Sequence, residues 1–404
     1  MHQKKKLNIC RLIFEFAPEI GGSIFHTIEL SKHINPYLNR QILIVPKADI
    51  DTTDLDKSFP FEVHRIRYCT FKILHWIKFR FYKSLHLAPL VLFSYQVFAI
   101  VEIILINRKY DIDIIHAHGI GTGPAATIVG RLLQKPVVWM LDGTIESYSR
   151  LSGKYETAII RLFKPDYCLA VDNGGPARDK FIKLFDRDRL TMVYINISPD
   201  KMYPIPKNIK LVKRLQIKDR FIWMSVHNLE PVQGVEYAIR AFSEFLSLSG
   251  SKESILLIIG NGSLSKQLEQ LTFSLGLIER VLFLGTIDNL QIPEYYALAN
   301  VALATSVQIN MNTSTVEAMS CGKPIVAFNC GNTADKLVQH MKTGLLAEND
   351  NIQDLAKKML LLYQNPWLGK KLGENARRFI VQHRSWGTRV RTELSIYEKL
   401  LQRR

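Results

Sequence analysis

Short apolar segments alternate with longer helical patterns along almost the whole chain. The segments are rich in Val, Ile and Leu without polar alternation, which is typical of parallel strands covered on both faces. The helical patterns between them predict repeated βαβ units, and therefore a doubly wound α/β fold. The predicted strands cover residues 7–14, 41–45, 114–117, 137–141 and 167–171, then 221–226, 255–259, 281–284, 301–304 and 325–328.

The length of the chain favours two domains. A single core rarely serves 404 residues, because domains usually stop growing at about 250–300 residues. Three prolines (Pro199, Pro204 and Pro206) and a cluster of basic residues lie between residues 196 and 220, a composition typical of a linker. We therefore predict one Rossmann-like domain over residues 1–200 and a second over residues 201–384.

The charge of the chain predicts an anionic partner. The formal net charge is +16, while 47% apolar and 22% charged residues exclude a disordered chain. Nucleic acid, an anionic membrane surface and phosphorylated substrates would all suit this charge. Nucleic acid is disfavoured, because no recognised binding module accompanies the basic residues.

The cysteines and the first residues indicate a reducing compartment and no signal peptide. The five cysteines are scattered without metal-type spacing, which favours free thiols. They are Cys10, Cys69, Cys168, Cys321 and Cys330. The basic start of the chain leads into an apolar run that Arg11 and Glu15 interrupt. This run is interpreted as a first buried strand rather than a signal peptide.

One segment departs from the strand and helix alternation. Residues 65–83 carry six basic and six aromatic side chains without an acid, and residues 85–106 are almost continuously apolar. Three interpretations remain open. The segment is a pair of core helices with a solvated basic face, a surface that docks on anionic headgroups, or a transmembrane helix. Glu102 disfavours the last of these.

The segment 317–347 is the most informative about function. Glu317 lies in a predicted helix that leads to the apolar strand 325–328, and Asn312, Thr313, Ser314 and Thr315 precede it. A helix start presents free N–H groups and a positive dipole, which suit a phosphate. A carboxylate one turn further along can accept hydrogen bonds from ribose hydroxyls. Ser314 and Thr315 could equally serve only as caps, and the two roles are compatible.

This segment closely resembles the nucleotide-sugar half of retaining glycosyltransferases of family 4. The resemblance runs nearly end to end and implies the GT-B fold, with two Rossmann-like parallel-sheet domains facing a cleft. It implies an acceptor domain over residues 1–200 and a nucleotide-sugar domain over 201–384. The C-terminal helix, residues 385–404, is expected to return toward the N-terminal domain.

The resemblance assigns three groups in the first half. Gly21 and Gly22 match the glycine loop that lets the backbone approach the donor diphosphate. His116 and His118 match the end of a strand, where a histidine can bond a sugar or acceptor hydroxyl. Asp142 stands where the family usually has a histidine beside the reacting carbon. Asp142 either favours an oxocarbenium ion or caps a helix, and His118 is either catalytic or bonded to local backbone.

In the second half, the resemblance assigns the donor site. Asn228 and Gln233 occupy the positions of the arginine and lysine that clamp the diphosphate in the family, and His227 could replace one cation if protonated. Glu317 matches the second acid of a pair that binds the donor, while the first position is Ile309, with Gln308 beside it. The remaining donor-binding positions are Gly260, Gly262, Thr286, Ser314 and Thr315.

These positions imply a retaining hexosyltransferase. A nucleotide sugar, most readily UDP-linked, is the expected co-substrate, with no cofactor and no required metal. A glycolipid or glycan is the expected acceptor, on the inner face of the membrane in the cytoplasm. The alternative is a degenerate GT-B protein that binds a nucleotide or glycan, or partners an active transferase, without turnover. The neutral Asn228 and Gln233, with Ile309 and Asp142, favour this alternative.

Overall fold

The computed structural model describes residues 6–19, 22–67, 88–141, 150–172, 177–307, 312–330 and 337–403. By internal contacts, these residues divide into two compact units. The first comprises the described residues within Met1–Asp172, Pro176–Val193 and Arg389–Arg404. The second comprises those within Tyr194–Thr388.

The first unit is built on a parallel sheet of seven described strands in the order β3-β2-β1-β4-β5-β6-β7. The strands are β1 (Asn8–Ile13), β2 (Arg40–Pro46), β3 (Glu62–Ile66), β4 (Ile114–His118), β5 (Val137–Leu141), β6 (Tyr167–Val171) and β7 (Leu190–Val193). The helices that connect them are α1 (Gly22–Ile34), α2 (Thr53–Lys57), α3 (Ala88–Tyr110), α4 (Gly123–Leu132), α5 (Arg150–Leu162) and α6 (Ala177–Leu184).

The second unit repeats this architecture with six described parallel strands in the order β10-β9-β8-β11-β12-β13. The strands are β8 (Phe221–Val226), β9 (Ser254–Ile259), β10 (Val281–Phe283), β11 (Val301–Ala304), β12 (Ile325–Asn329) and β13 (Gly344–Glu348). Its helices are α7 (Ile209–Arg214), α8 (Val235–Ser249), α9 (Ser265–Ser274), α10 (Ile292–Leu298), α11 (Thr313–Ser320), α12 (Ile352–Gln364) and α13 (Pro366–His383). The last helix is α14 (Trp386–Gln402), most of whose length belongs to the first unit.

The strand order places a topological switch point in each sheet. In the first unit β1 lies between β2 and β4, and in the second unit β8 lies between β9 and β11. The chain leaves β1 and β4, and likewise β8 and β11, toward opposite sides of the sheet. This opens a crevice at the carboxyl ends of these strands, where ligands of doubly wound folds bind. The residues that follow these central strands are therefore the candidates for a binding site in each unit.

The strands at the centres of the sheets form where the sequence predicts them, but β3 and β7 were missed. Both lie at an edge of the first sheet. Four of the five residues of β3 and three of the four residues of β7 are only half-buried. Edge strands need fewer apolar side chains because one side of the strand is unpaired, so their sequences lack the continuous apolar run on which the prediction depends.

Helix α3 occupies most of the apolar segment 85–106 and packs its inner side against the first sheet. Tyr95, Ala99 and Ile103 are fully buried. Glu102 accepts a hydrogen bond or ion pair from His64 Nδ1 at 2.8 Å, which explains an acid within this helix. Among the described helices, α3 included, none combines the length and the apolar composition needed to span a membrane. Residues 68–83 of the basic and aromatic segment lie outside the described residues.

Candidate functional site

The loops that follow β8 and β9 lie against each other at the switch point of the second unit. A side chain on Gly260, whose φ is +132°, would put its Cβ 1.9 Å from the carbonyl oxygen of His227. A Cβ on Gly262 would lie 2.5 Å from the carbonyl oxygen of Leu229. Both glycines are therefore required by close backbone approach, and they fix the course of the chain around His227 whatever ligand is bound.

Helix α11 begins beside these loops with a well-formed cap. The Asn312 side chain accepts hydrogen bonds from the amide of Thr315 at 2.9 Å and from the hydroxyls of Ser314 and Thr315. Tyr296 donates to the carbonyl of Ser314 at 2.9 Å and holds the first turn in place. The amides of Thr313 and Ser314 precede the first intrahelical bonds, so they and the helix dipole are available to an anion.

His227 connects the β8 loop to this helix start. Its Nδ1 lies 3.4 Å from both the Ser314 hydroxyl and the Asn312 amide, and Gln233 hydrogen-bonds the same ring. Burial lowers the pKa of His227 to about 4, although bonds to Gln233 and the Leu303 carbonyl oppose the shift. The lowered pKa disfavours a charged imidazole at pH 7 in the free protein. The role of a protonated His227 as a replacement for a missing cation, when a diphosphate is bound, stays a prediction.

The two clamp positions supply no charge. Gln233 is half-buried and bonded to His227, while Asn228 is exposed next to it. Two basic residues that contact the α11 region lie at its other end. Lys323 donates to the Ala299 carbonyl at 2.9 Å, and Arg377 donates to the Ser320 carbonyl at 3.0 Å. Neither of these two cations replaces the clamp at the helix start.

Glu317 lies one turn into α11 and is only 7% exposed. Burial raises the pKa of its carboxyl group to about 7. Ionised and protonated forms are thus nearly balanced near neutral pH, and a ligand that donates hydrogen bonds would favour the ionised form. A carboxyl group with this property beside an anion-binding helix start is suited to a molecule that carries both hydroxyls and phosphate.

The remaining candidate residues lie in other parts of the chain. Thr286 is exposed after Gly285, whose carbonyl accepts a bond from the Gly260 amide at 2.8 Å. Gly22 is the first residue of α1 in the other unit. Gly21, Gln308, Ile309 and Asp142 lie outside the described residues, so their assignments stay predictions.

His118 lies at the end of β4 in the first unit, within a buried polar network that the sequence analysis missed. The network is centred on Arg11 of β1, which is 0% exposed. Arg11 contacts five side chains, namely Gln41, His116, His118, Glu393 and Tyr397. The available signal was a basic residue inside a predicted central strand, because a buried arginine demands a buried counter-charge. The sequence gives no means of identifying Glu393 as its partner.

Within the described ranges, no group of three or more His, Cys, Asp or Glu residues is arranged to hold a metal ion. Catalysis without a metal remains a prediction, since this observation concerns protein ligands alone.

Comparisons with known proteins agree with the fold. Residues 207–379 match the family described as "Glycosyl transferases group 1". An uncharacterized glycosyltransferase of Methanocaldococcus jannaschii, MJ1069, is 24% identical over 407 aligned positions, which cover 96% of this chain and 97% of that protein. Alpha-monoglucosyldiacylglycerol synthase of Acholeplasma laidlawii is 22% identical, with 89% of each chain covered.

A solved structure shows the same fold. The crystal structure of Anabaena Alr3699/HepE in complex with UDP superposes with a TM-score of 0.77 and 20% identity. The alignment covers 97% of this chain and 100% of that one. At this identity the likeness establishes the architecture, while the residues of the site are argued from their own geometry.

Proposed function

We propose that this chain, which matches the group 1 glycosyl transferases over residues 207–379 and has the GT-B fold, moves a hexosyl group from a nucleotide sugar to a glycolipid or polysaccharide. The observation that carries the proposal is the switch point of the second unit, where the capped start of α11, His227 and Glu317 follow β8 and β11. The helix start suits the diphosphate. The Glu317 carboxylate suits the ribose hydroxyls.

UDP is the preferred nucleotide in this proposal. Anabaena Alr3699/HepE has been crystallised with UDP and with UDP-glucose, which supports a uridine donor for a chain of the same fold. We propose transfer with retention of configuration. The bond from the anomeric carbon to the donor phosphate breaks, and a bond to the acceptor oxygen forms on the same face. The departing phosphate oxygen takes the acceptor proton, so the protein need supply no base.

A screen of nucleotide sugars tests this activity. Purified protein is incubated with UDP- and GDP-sugars, with and without a lipid or glycan acceptor, in magnesium and in a chelator. We expect transfer or slow hydrolysis of a UDP-sugar that survives the chelator. Loss of activity in the chelator would show that a metal ion replaces the missing clamp. A lack of turnover with every donor would contradict the proposal.

A second candidate function is favoured by one observation. The clamp positions hold Asn228 and Gln233, and the lowered pKa of His227 disfavours a charged imidazole at pH 7. Preorganised positive charge at a leaving phosphate is usually a dominant part of catalysis. A degenerate protein that binds the nucleotide without turnover would need no such charge. Nucleotide binding in calorimetry, together with no turnover in the screen, would identify this case.

The proposed acceptor lies on the cytosolic face of a membrane, and helix α3 supports this placement. Four apolar side chains recur at every fourth position along its outer side. They are Phe93, Val97, Val101 and Leu105, each between 46% and 66% exposed. Arg108 and Lys109 end the same helix, and the basic and aromatic residues 65–83 precede it in the sequence. Apolar side chains beside basic ones suit an anionic lipid surface.

Substituting Val101 and Leu105 with aspartate should weaken binding to anionic vesicles by about tenfold or more, because each apolar side chain contributes roughly 1–2 kcal/mol when buried. Cosedimentation with phosphatidylglycerol vesicles at rising salt measures the effect. Substituting Phe273 and Ile278 with aspartate is the matched control, since both are exposed apolar residues of the second unit, at 70% and 57%. A wild-type protein that never sediments with anionic vesicles, or equal loss in the control, would refute docking through α3.

A further inference from the structure

The Arg11 guanidinium has all five of its N–H groups directed at protein side chains. Nε donates to Gln41 at 3.1 Å, and Nη2 donates to Glu393 at 2.8 Å and Tyr397 at 3.1 Å. Nη1 lies 3.3 Å from His116 Nδ1 and 3.0 Å from His118 Nε2. A guanidinium has five donors and no acceptor, so each of these contacts has a fixed direction. His118 Nε2 is therefore an acceptor toward Arg11, whereas His116 Nδ1 also lies 2.7 Å from the Tyr397 hydroxyl.

Burial and local charge keep these imidazoles neutral. Burial, with Arg11 close by, lowers the pKa of His116 to about 3. Burial, His116 and Arg11 place the pKa of His118 well below its ordinary value. Arg389 of α14 and His26 of α1 also face the network, and burial lowers the pKa of His26 to about 3. The pair of arginines exceeds the single carboxylate of Glu393, so the cluster disfavours any further positive charge.

A neutral imidazole carries one proton, and the position of that proton follows from the partner of the other nitrogen. His118 Nε2 accepts from Arg11, so the proton of His118 resides on Nδ1. His118 ends β4 and is only half-buried. It is followed by Gly119, whose φ is +83°, at the switch point of the first sheet.

We propose that Arg11 is a positioning residue that fixes the Nδ1–H tautomer of His118 and so turns this ring into a hydrogen-bond donor for a sugar or acceptor oxygen. The identity of the ligand rests on the proposed function, whereas the tautomer does not. Free imidazole side chains prefer the other tautomer in water, so the protein has to impose this one. A water molecule in place of the Arg11 guanidinium could donate or accept a hydrogen bond, so it would not determine which nitrogen of His118 carries the proton.

The C-terminal helix α14 supplies the side chains that hold Arg11 in place. Glu393 accepts from Arg11 through Oε2 and from Arg389 through Oε1 at 2.8 Å, and Tyr397 donates to the same carboxylate at 2.9 Å. These contacts hold the Arg11 side chain, so that its Nη1 stays on His118. Residues 382 positions apart in the sequence thus determine which nitrogen of a strand-end histidine carries the proton.

Nitrogen-15 NMR of the ring nitrogens tests the proposal in the full-length protein without any ligand. Long-range proton–nitrogen spectra distinguish the two neutral tautomers and the charged ring, and His118→Gln assigns the signal. We expect wild-type His118 at pH 7 to be neutral with its proton on Nδ1. A proton on Nε2, or a charged ring, would overturn the proposal even if no variant folds.

Two arginine variants separate positioning from charge. Arg11→Met removes the donor to His118 and should convert the ring largely to the Nε2–H tautomer. Arg389→Met also removes one positive charge that pairs with the Glu393 carboxylate. Arg389 bonds Glu393 and Met140 rather than His118, so the tautomer of His118 should persist. Equal tautomer shifts in the two variants, or no shift in either, would contradict the role of Arg11.

Kinetic measurements then test whether the His118 tautomer is used in sugar transfer. We expect Arg11→Met to lower kcat by about tenfold or more, as for loss of one hydrogen bond made in the transition state, with little change in the KM for the nucleotide sugar, and by more than Arg389→Met does. An Nδ1–H tautomer in a protein that transfers no sugar would contradict the proposed function and leave the role of Arg11 in place. Equal kcat in Arg11→Met and the wild type would refute the use of this tautomer in transfer.

Discussion

Replacement of Glu393 by alanine is expected to lower the unfolding free energy of the first unit by about 3–5 kcal/mol, the range for breaking a buried ion pair on one side. Glu393 is 0% exposed and is the carboxylate shared by Arg11 and Arg389. Its removal leaves two guanidinium groups in the interior without a counter-charge. Hydrogen exchange of the β1 and β4 amides across a urea series measures the unfolding free energy of the sheet that contains Arg11.

A matched control separates burial from ion pairing. Glu62 belongs to the same unit and pairs with Arg40, but its side chain is 37% exposed. Glu62→Ala should therefore cost only about 0–1 kcal/mol. Replacing Arg11, Arg389 and Glu393 together by Met, Met and Leu should cost less than Glu393→Ala alone, because no uncompensated charge remains. A loss in Glu393→Ala no larger than that in Glu62→Ala would contradict the buried network.

The same network predicts acid lability of the first unit. Although burial alone would raise it, the pKa of Glu393 is held well below its ordinary value by Arg11 and Arg389. Its contribution to stability is therefore full above the unfolded pKa and is lost as pH falls through the folded one. The lowered pKa values of His116 and His118 act in the same direction, since these rings favour folding only while neutral. Stability should fall as pH drops below about 6.5, the unperturbed histidine pKa.

Glu317→Gln is expected to weaken UDP binding by about 10–100-fold, because a hydrogen bond to a charged group is worth roughly 1.5–3 kcal/mol. The substitution keeps the shape of the buried side chain and removes only the charge. Calorimetric titration with UDP measures the ratio of dissociation constants. Glu236→Gln provides the control, since Glu236 is an exposed carboxylate of the same unit paired with Arg240. Equal affinity in the wild type and Glu317→Gln would contradict the assignment of the ribose site.

The pH dependence of this binding has a defined sign. Burial raises the pKa of Glu317 to about 7 in the free protein, and ribose hydroxyls favour the ionised carboxylate. UDP affinity should therefore fall by up to about tenfold for each pH unit below 7 and level off above pH 8. The phosphate of UDP also titrates near pH 6, so the diagnostic quantity is the ratio of wild-type to Glu317→Gln affinity. A ratio that does not change between pH 6 and 8 would refute this linkage.

The sequence predicted the fold well because the evidence for it is local. Continuous apolar runs located the central strands, and the predicted bounds of β5, β6, β8 and β11 match those of the structure. The C-terminal helix, predicted over residues 385–404, covers Trp386–Gln402 in the structure. The edge strands β3 and β7 were missed because half-buried side chains do not produce such runs. The order of the strands follows from the general rules of doubly wound folds rather than from particular residues.

The site was only partly predictable, because its properties depend on contacts between distant residues. The helix start at 312–315 and the position of Glu317 could be read from the sequence. The lowered pKa of His227 could not, since it results from burial among groups from several elements. The Arg11–Glu393 pair is separated by most of the chain. A lone arginine in a buried strand indicates that an acidic partner is present, but only the fold identifies that partner as Glu393.

A crystal structure with UDP bound would locate the donor site. We expect the diphosphate to contact the backbone amides at the start of α11, near Thr313 and Ser314, with the ribose hydroxyls on Glu317. We also expect His227 to stay hydrogen-bonded to Gln233. A diphosphate bound elsewhere, with the start of α11 closed off by the protein itself, would contradict this donor site.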